Sequence, residues 1–395
     1  MPIIRIPFSE ADREFFHAGL DEILDSGQLT SAKYTRQFEE EFAAFSGSRF
    51  AVATSSCTTA LELTLRALEI ENASVVVPTN TFLATAFAVI HAGNRVIFAD
   101  SDPNTLCLDV ADVERRLEPG TRAVVLVHIG GIITADVEAL QRLCEQRDLY
   151  LIEDCAHAHG SSLAGKPAGT FGIAGAFSFF PTKVLTTGEG GMITTDDERL
   201  YERALILRNH GKDPQLGNHI TELGHNFRMS ELTAMLGVEQ MRKAERVIAE
   251  RRAIARAYDE RLQDVAGVRP LPLPSTMRST YYKYVAYLDE RFERAAVKAA
   301  LKDRFGVSLT GEVYEDLCHT EPVWQRYTLC GRRRSEAGGA VCEHDVCRGD
   351  VETSFPGAEF ASQRQICLPL YPSLTEEDAG YVVESLKTIL DEMAA

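Results

Sequence analysis

Residues 123–154 read AVVLVHIGGIITADVEALQRLCEQRDLYLIED. Two apolar runs, Ala123–His128 and Leu149–Glu153, flank the segment Ala135–Gln146, where Val137, Leu140, Leu143 and Cys144 recur at helical spacing. Neither run alternates apolar with polar residues, so each strand needs cover on both faces. A strand–helix–strand unit of that kind belongs to a parallel sheet held between layers of helices.

The same alternation extends in both directions. Ser74–Val77, Arg95–Ala99, Ala176–Phe180 and Gly191–Thr195 are further apolar runs, with helical patterns at Thr81–His91, Val110–Leu117 and Asp197–Arg208. The expected fold class is α/β, a large doubly wound domain with a mostly parallel sheet. From Ser230 to Arg261 runs a long helical pattern free of proline, its apolar side marked by Leu232, Leu236, Val238 and Met241. Pro270, Pro272 and Pro274 then punctuate the chain. The remainder mixes strands (Tyr281–Leu288, Gly306–Leu309) with helices (Ala295–Phe305, Glu376–Met393) as a smaller α+β unit. The division falls near the long helix, giving a large domain of residues 1–250 and a C-terminal domain of residues 251–395. Arg326–Ser354, rich in Gly, Arg and Cys and without periodicity, reads as a long surface loop.

A chain of 395 residues exceeds one compact core, which agrees with two domains. The formal charge of −17 opposes a general binder of nucleic acid or anionic membrane, but says little about a small anionic ligand. No apolar stretch is long enough to span a bilayer. The start, MPIIRIPFSEADREFF, turns polar and acidic too early for a signal peptide, so the expected location is cytoplasmic. Nine cysteines, an odd number without regular spacing, point to reduced thiols. Cys330, Cys342, His344 and Cys347 could supply zinc ligands, but their spacing fits no familiar zinc module and no metal is expected.

In open α/β sheets ligands gather at the carboxyl ends of the strands. The residues just past the apolar runs are Thr79, Asn80 and Phe82, then His128, then Asp154 and His157; Ser178 lies within AFSFF and Lys183 follows it. No Gly-x-Gly-x-x-Gly turn accompanies them, which argues against a dinucleotide. Asp154 closes the run LYLIED and must be buried. Two readings fit it: an N-cap for the next stretch of chain, or a carboxylate facing a cationic ligand group. Lys183, in FSFFPTKVLTTGEGGM, is either a solvated loop lysine or a desolvated amine usable as a nucleophile. Thr54–Thr59 (TSSCTT) runs into the helical face Leu61, Leu65, Leu68. Hydroxyls there either cap the helix or, with its free N–H groups, hold a phosphate.

Taken together, GTFGIAGAFSFFPTKVLTTGEGGMITTDD (169–197), EDCAHAHG (153–160) and LGHNFRMSELTAMLG (223–237) resemble the sugar aminotransferases of the DegT/DnrJ/EryC1/StrS family. The likeness runs from LDSGQLTSAKYTRQFEEEFAAFSG (24–47) to ICLPLYPSLTEED (366–378) and is weakest between Tyr314 and Phe355. It implies the type I fold of pyridoxal 5′-phosphate enzymes, aspartate aminotransferase-like. Lys183 would carry the cofactor as a Schiff base and move protons, Asp154 would pair with the pyridine nitrogen, and His157 would lie near the ring hydroxyl. Phe82 would stack on the ring. Cys57, Thr58 and Ser178 would hold the phosphate, joined by Asn226 from the other subunit of a homodimer with shared sites. The implied reaction moves an amino group, from L-glutamate, to a nucleoside-diphosphate-linked 4-keto or 3-keto deoxysugar. His210, Lys212 and Arg228 are candidates for anion contacts. Cys57 stands where the family often has Gly, Val184 where Asn is common, and His157 where Gln is common. The AHAHG block keeps an aminocyclitol or aminobenzoate-type relative in view. A sugar dehydratase relative would carry His at the lysine position, and a non-catalytic regulator would not need the Lys183–Asp154–Ser178 set.

Overall fold

The computed structural model describes residue 6 and residues 8–309, 311, 313–333 and 354–395. The alternating runs form one seven-stranded sheet. Its order is Phe50–Thr54, Gly191–Thr195, Ala174–Ser178, Tyr150–Asp154, Thr121–Val127, Ser74–Pro78, Arg95–Ala99. The last five are parallel to one another, while Gly191–Thr195 runs antiparallel to both of its neighbours. Side chains along each strand divide between two cores, as a period of two requires. Val124 and Leu126 join Phe38, Leu140 and Val238 on one face; Ala123 and Val125 join Leu61, Val89 and Leu200 on the other.

The helix Glu231–Leu262 links the two parts of the chain. It begins in the first core through Ala234, Met235 and Val238 and ends in a third core through Ile254, Tyr258 and Leu262. Its buried Glu231 accepts the backbone N–H groups of Ala32, Tyr34 and Thr35, satisfying the open end of the helix Lys33–Ser46. The third core covers an antiparallel sheet ordered Val268–Pro270, Tyr284–Leu288, Gln365–Leu368, backed by the helices Arg294–Phe305 and Glu376–Ala394.

Several expectations need correction. Gly306–Leu309 is not a strand: Val307 and Leu309 are buried, but the edge of the small sheet is taken by Gln365–Leu368. The run expected at Ala176–Phe180 pairs as Ala174–Ser178, because the chain turns after Ser178 toward Lys183. Leu232 does not mark the buried side of the long helix; it is 47% exposed, and Ala234, Met235 and Val238 face inward instead. The start of the expected loop is not free surface. Leu329 is buried against the large sheet and its carbonyl accepts the Val96 N–H at 3.0 Å, on the open edge of Arg95–Ala99. Residues 334–353, with Cys342, His344 and Cys347, lie outside the described residues. Among the described residues no helix is long and apolar enough to cross a membrane.

Candidate active site

At the carboxyl ends of the parallel strands lies a cavity of about 330 Å³. Cys57, Thr58, Phe82, Asp154, His157, Ser178 and Lys183 all line it, so seven of the eight residues that the family resemblance assigned to the cofactor meet in one place. Asn226, the eighth, is exposed and lies elsewhere on this chain, bridged to Asn209.

Lys183 arrives by a turn that leaves the strand at Ser178. Its N–H bonds to the Phe180 carbonyl at 2.9 Å, and Thr187 N–H returns to the Phe179 carbonyl at 2.9 Å. The ammonium lies 4.8 Å from the ring centroid of Tyr282. Burial pushes its pKa down from 10.5 to about 8, against the opposing pull of the Asp154 charge. The chain then comes back as Gly191–Thr195, pressed against the start of the helix Cys57–Ala67. A Cβ on Gly191 would stand 2.2 Å from the Ser56 carbonyl carbon and 2.6 Å from the Cys57 nitrogen. That glycine is required by close approach.

Asp154 ends its strand buried, as LYLIED implied. Oδ1 accepts the Ala156 N–H at 3.0 Å, so the capping reading holds for a turn, not for a helix. Oδ2 accepts the Thr85 hydroxyl at 2.8 Å, and Thr81 Oγ1 lies 3.0 Å behind Thr85. Among the described residues no cation stands within 4.0 Å of this carboxylate. A buried carboxylate in that condition is suited to a cationic ligand group.

His157 is buried with its ring 4.0 Å from that of Tyr282. Its Nδ1 accepts the Gly130 N–H at 3.2 Å, so a neutral ring carries its proton on Nε2, 3.2 Å from the Tyr314 hydroxyl. Burial, aided by the Lys183 charge, holds its pKa well below the usual value and keeps the ring neutral. Phe82 is 62% exposed and lies 6.1 Å from the Tyr314 ring across the mouth.

Most hydroxyls of Thr54–Thr59 are absorbed by the helix start itself. Ser56 and Thr59 cap each other reciprocally, Thr54 bonds to the Ser56 carbonyl, and Ser55 contacts Thr59. Thr58 is left: among the described residues its hydroxyl has no partner. Nor do the N–H groups of Cys57 and Thr58, the first two of the helix, have backbone acceptors. A helix N-terminus in that state is an anion site. Ser178 Oγ accepts the Phe180 N–H only at 3.4 Å. The buried Cys57 thiol lies 3.9 Å from Asp154, and burial raises its pKa well above the usual value.

Other expected rim residues turn away. His128 pairs with Glu153 at 2.7 Å beneath the sheet end, and Thr79 and Asn80 are buried outside the cavity. His128, Glu153 and Cys155 lie within 4.8 Å of one another, but Glu153 already accepts the N–H groups of Gly169, Phe171 and Gly172. His210, Lys212 and Arg228 do not line the cavity; Arg228 bonds to Asn209 at 2.6 Å. Thr85, Tyr282 and Tyr314 were not foreseen. Thr85 follows Thr81 by four positions, which gave a weak signal. Tyr314 comes from the far part of the chain in a left-handed conformation, φ 63°, that no local pattern announces.

The chain matches the family described as DegT/DnrJ/EryC1/StrS aminotransferase over residues 10–347. It is similar to the spore coat polysaccharide biosynthesis protein SpsC of Bacillus subtilis (strain 168), 34% identical over 383 residues, covering 93% of this chain and 92% of the relative. The GDP-perosamine synthase of Escherichia coli O157:H7 is 32% identical over 388 residues, with coverage of 98% and 97%. Among solved structures, the aminotransferase TlmJ from Streptoalloteichus hindustanus aligns with a TM-score of 0.83 at 32% identity, over 100% of both chains.

Proposed function

The chain belongs to the DegT/DnrJ/EryC1/StrS aminotransferase family and is a transaminase dependent on pyridoxal 5′-phosphate; on that premise we propose that it passes an amino group, taken from L-glutamate, to a keto sugar borne on a nucleoside diphosphate. The observation that carries the reading is a single cavity in which Lys183, Asp154 and an unpartnered helix N-terminus meet. That donor set fits an aldehyde, a ring nitrogen and a phosphate on one small molecule. Lys183 Nζ would take the aldehyde carbon and Asp154 the protonated ring nitrogen. Cys57 and Thr58 N–H, with the Thr58 and Ser178 hydroxyls, would hold the phosphate. Phe82 would lie on the ring and His157 near its hydroxyl.

When bound, the cofactor supplies an electron sink for the carbanion left when a proton is removed. Asp154 would keep the ring nitrogen protonated, and Thr85 holds the Asp154 carboxylate by its hydroxyl proton. Lys183 Nζ, once free, takes the proton from the donor's α-carbon and returns one in the second half-reaction. In the cofactor-free chain burial already lowers its pKa to about 8, which favours the neutral amine this role needs. Tyr282 and Tyr314 wall the site against water. His157, neutral and donating from Nε2, keeps Tyr314 in place over the mouth.

The working unit in this reading is a homodimer. Leu216, Ile220 and Leu223 are exposed, Leu223 to 92%, on the segment that leads to Asn226. A second copy covering them would let Asn226 of the partner subunit reach the phosphate. The division into residues 1–250 and 251–395 and a cytoplasmic location belong to the same reading. The name GDP-perosamine synthase on a relative aligned over nearly its full length supports a nucleotide-linked acceptor. A panel of nucleoside-diphosphate keto sugars and keto cyclitols, assayed for glutamate-dependent amination, tests it. Amination confined to nucleotide-linked ketones is expected; amination of keto cyclitols alone would replace this reading with the aminocyclitol one.

A further inference from the structure

A second cavity, of about 100 Å³, opens across the Lys183 segment from the first, between the long helix and the strand Gln365–Leu368. Thr182, Lys183 and Tyr282 border both cavities. The described walls of the second include five basic residues and no Asp or Glu, in a chain that carries 58 acidic against 41 basic residues. Two of the five already have counter-charges nearby. Lys243 lies 3.1 Å from Asp12 and 3.4 Å from Glu239, and Arg246 lies 3.0 Å from Glu250.

Arg251 is different. It is buried, and its Nε and Nη2 donate to the carbonyls of Thr280, Tyr281 and Tyr282 at 2.7–3.3 Å. Carbonyls satisfy donors but do not neutralise a charge, and Nη1 has no acceptor among the described residues. The Lys283 ammonium has no ion-pair partner there either; it lies 5.5 Å from the Tyr282 ring centroid. Gln240, 4% exposed, accepts the Thr186 N–H on Oε1 at 3.2 Å and leaves its buried Nε2 without an acceptor. Buried donors without acceptors are uncommon, and an uncompensated buried cation is costly.

We propose that this cavity binds one small oxyanion, a phosphate or a carboxylate, through Arg251, Lys283 and Gln240. The cavity is the smaller of the two, about 100 Å³ against about 330 Å³, and its free donors are cationic and amide groups, which suits a compact oxyanion such as phosphate or a carboxylate head. Planar guanidinium donors suit either group. Because Thr182, Lys183 and Tyr282 form the shared wall, an occupant here bears on the segment that presents Lys183.

Calorimetric titration of the holoenzyme with inorganic phosphate, at constant ionic strength and with cofactor filling the first cavity, tests the proposal. One saturable site is expected, at least about tenfold weaker in Lys283→Ala and in Gln240→Leu and regained in Lys283→Arg. Circular dichroism checks that the variants are folded. Displacement of phosphate by acetate assigns the site to carboxylates, and failure to displace assigns it to phosphate; both support an oxyanion site. No saturable binding, or equal binding in the folded variants, overturns it.

Discussion

Competitive acylation of the cofactor-free protein across pH, with the Lys183 peptide quantified by mass spectrometry, measures the environment in which that amine works. Burial lowers its pKa from 10.5 to about 8, while the Asp154 charge pulls the other way. At pH 7 an amine of pKa 10.5 is neutral in about 0.03% of molecules, and one of pKa 8 in about 9%, a gain of roughly 300-fold in nucleophilic form. Labelling of Lys183 should therefore reach half its limit near pH 8, against an ordinary lysine midpoint in the denatured chain. Asp154→Asn removes the charge that favours the ammonium, so the midpoint should fall further. Linkage gives a second readout. The folded pKa lies below the unfolded one, so the unfolded chain binds more protons between about pH 8 and about pH 10.5. Stability of the cofactor-free protein should rise with pH across that window, and Lys183→Ala should flatten the rise. An ordinary lysine midpoint in the folded protein, or an upward shift in Asp154→Asn, would refute the electrostatic account of Lys183.

Three other perturbations have directions fixed by the structure. Thr85→Val removes the hydroxyl donor to Asp154 Oδ2 and should cost about 1–3 kcal/mol, seen as a lower Tm and faster loss of cofactor on dialysis; Thr85→Ser should restore both. Gly191→Ala drives a methyl into the Ser56 carbonyl, displacing the start of the helix Cys57–Ala67. It should cost about 1–3 kcal/mol and weaken cofactor retention at least tenfold, whereas Gly311→Ala, whose added methyl meets nothing within 4 Å among the described residues, should change neither. Leu223→Asp places a charge on an apolar side chain that is 92% exposed; if this face is covered in the proposed homodimer, sedimentation should show dimers for the parent protein and monomers for the variant.

The part of this molecule legible in its sequence is the part set by local pattern. Apolar runs without alternation gave the parallel sheet, and the residues at their ends and just past them gave Asp154, His157, Ser178 and Lys183. The same rule placed His128 on the rim wrongly, because strand position does not say whether a side chain turns into the cavity or back to a buried carboxylate such as Glu153. Hydroxyls in Thr54–Thr59 carried two readings at once, and the fold leaves room for both: Ser56 and Thr59 cap, while the Thr58 hydroxyl has no partner among the described residues. Contacts made across the chain stayed hidden. Tyr314 meets His157 across 157 positions, and the edge of the small sheet is filled by Gln365–Leu368 rather than by the apolar Gly306–Leu309, since both segments can be buried but only one can pair.

Borohydride reduction of the purified protein, followed by peptide mass spectrometry, bears most directly on the chemistry assigned to the first cavity. The expected product is a pyridoxyl phosphate adduct on Lys183, from a yellow protein that bleaches with glutamate, with neither colour nor adduct in Lys183→Ala. An adduct on any other lysine, or a colourless protein that takes up no cofactor, would contradict it.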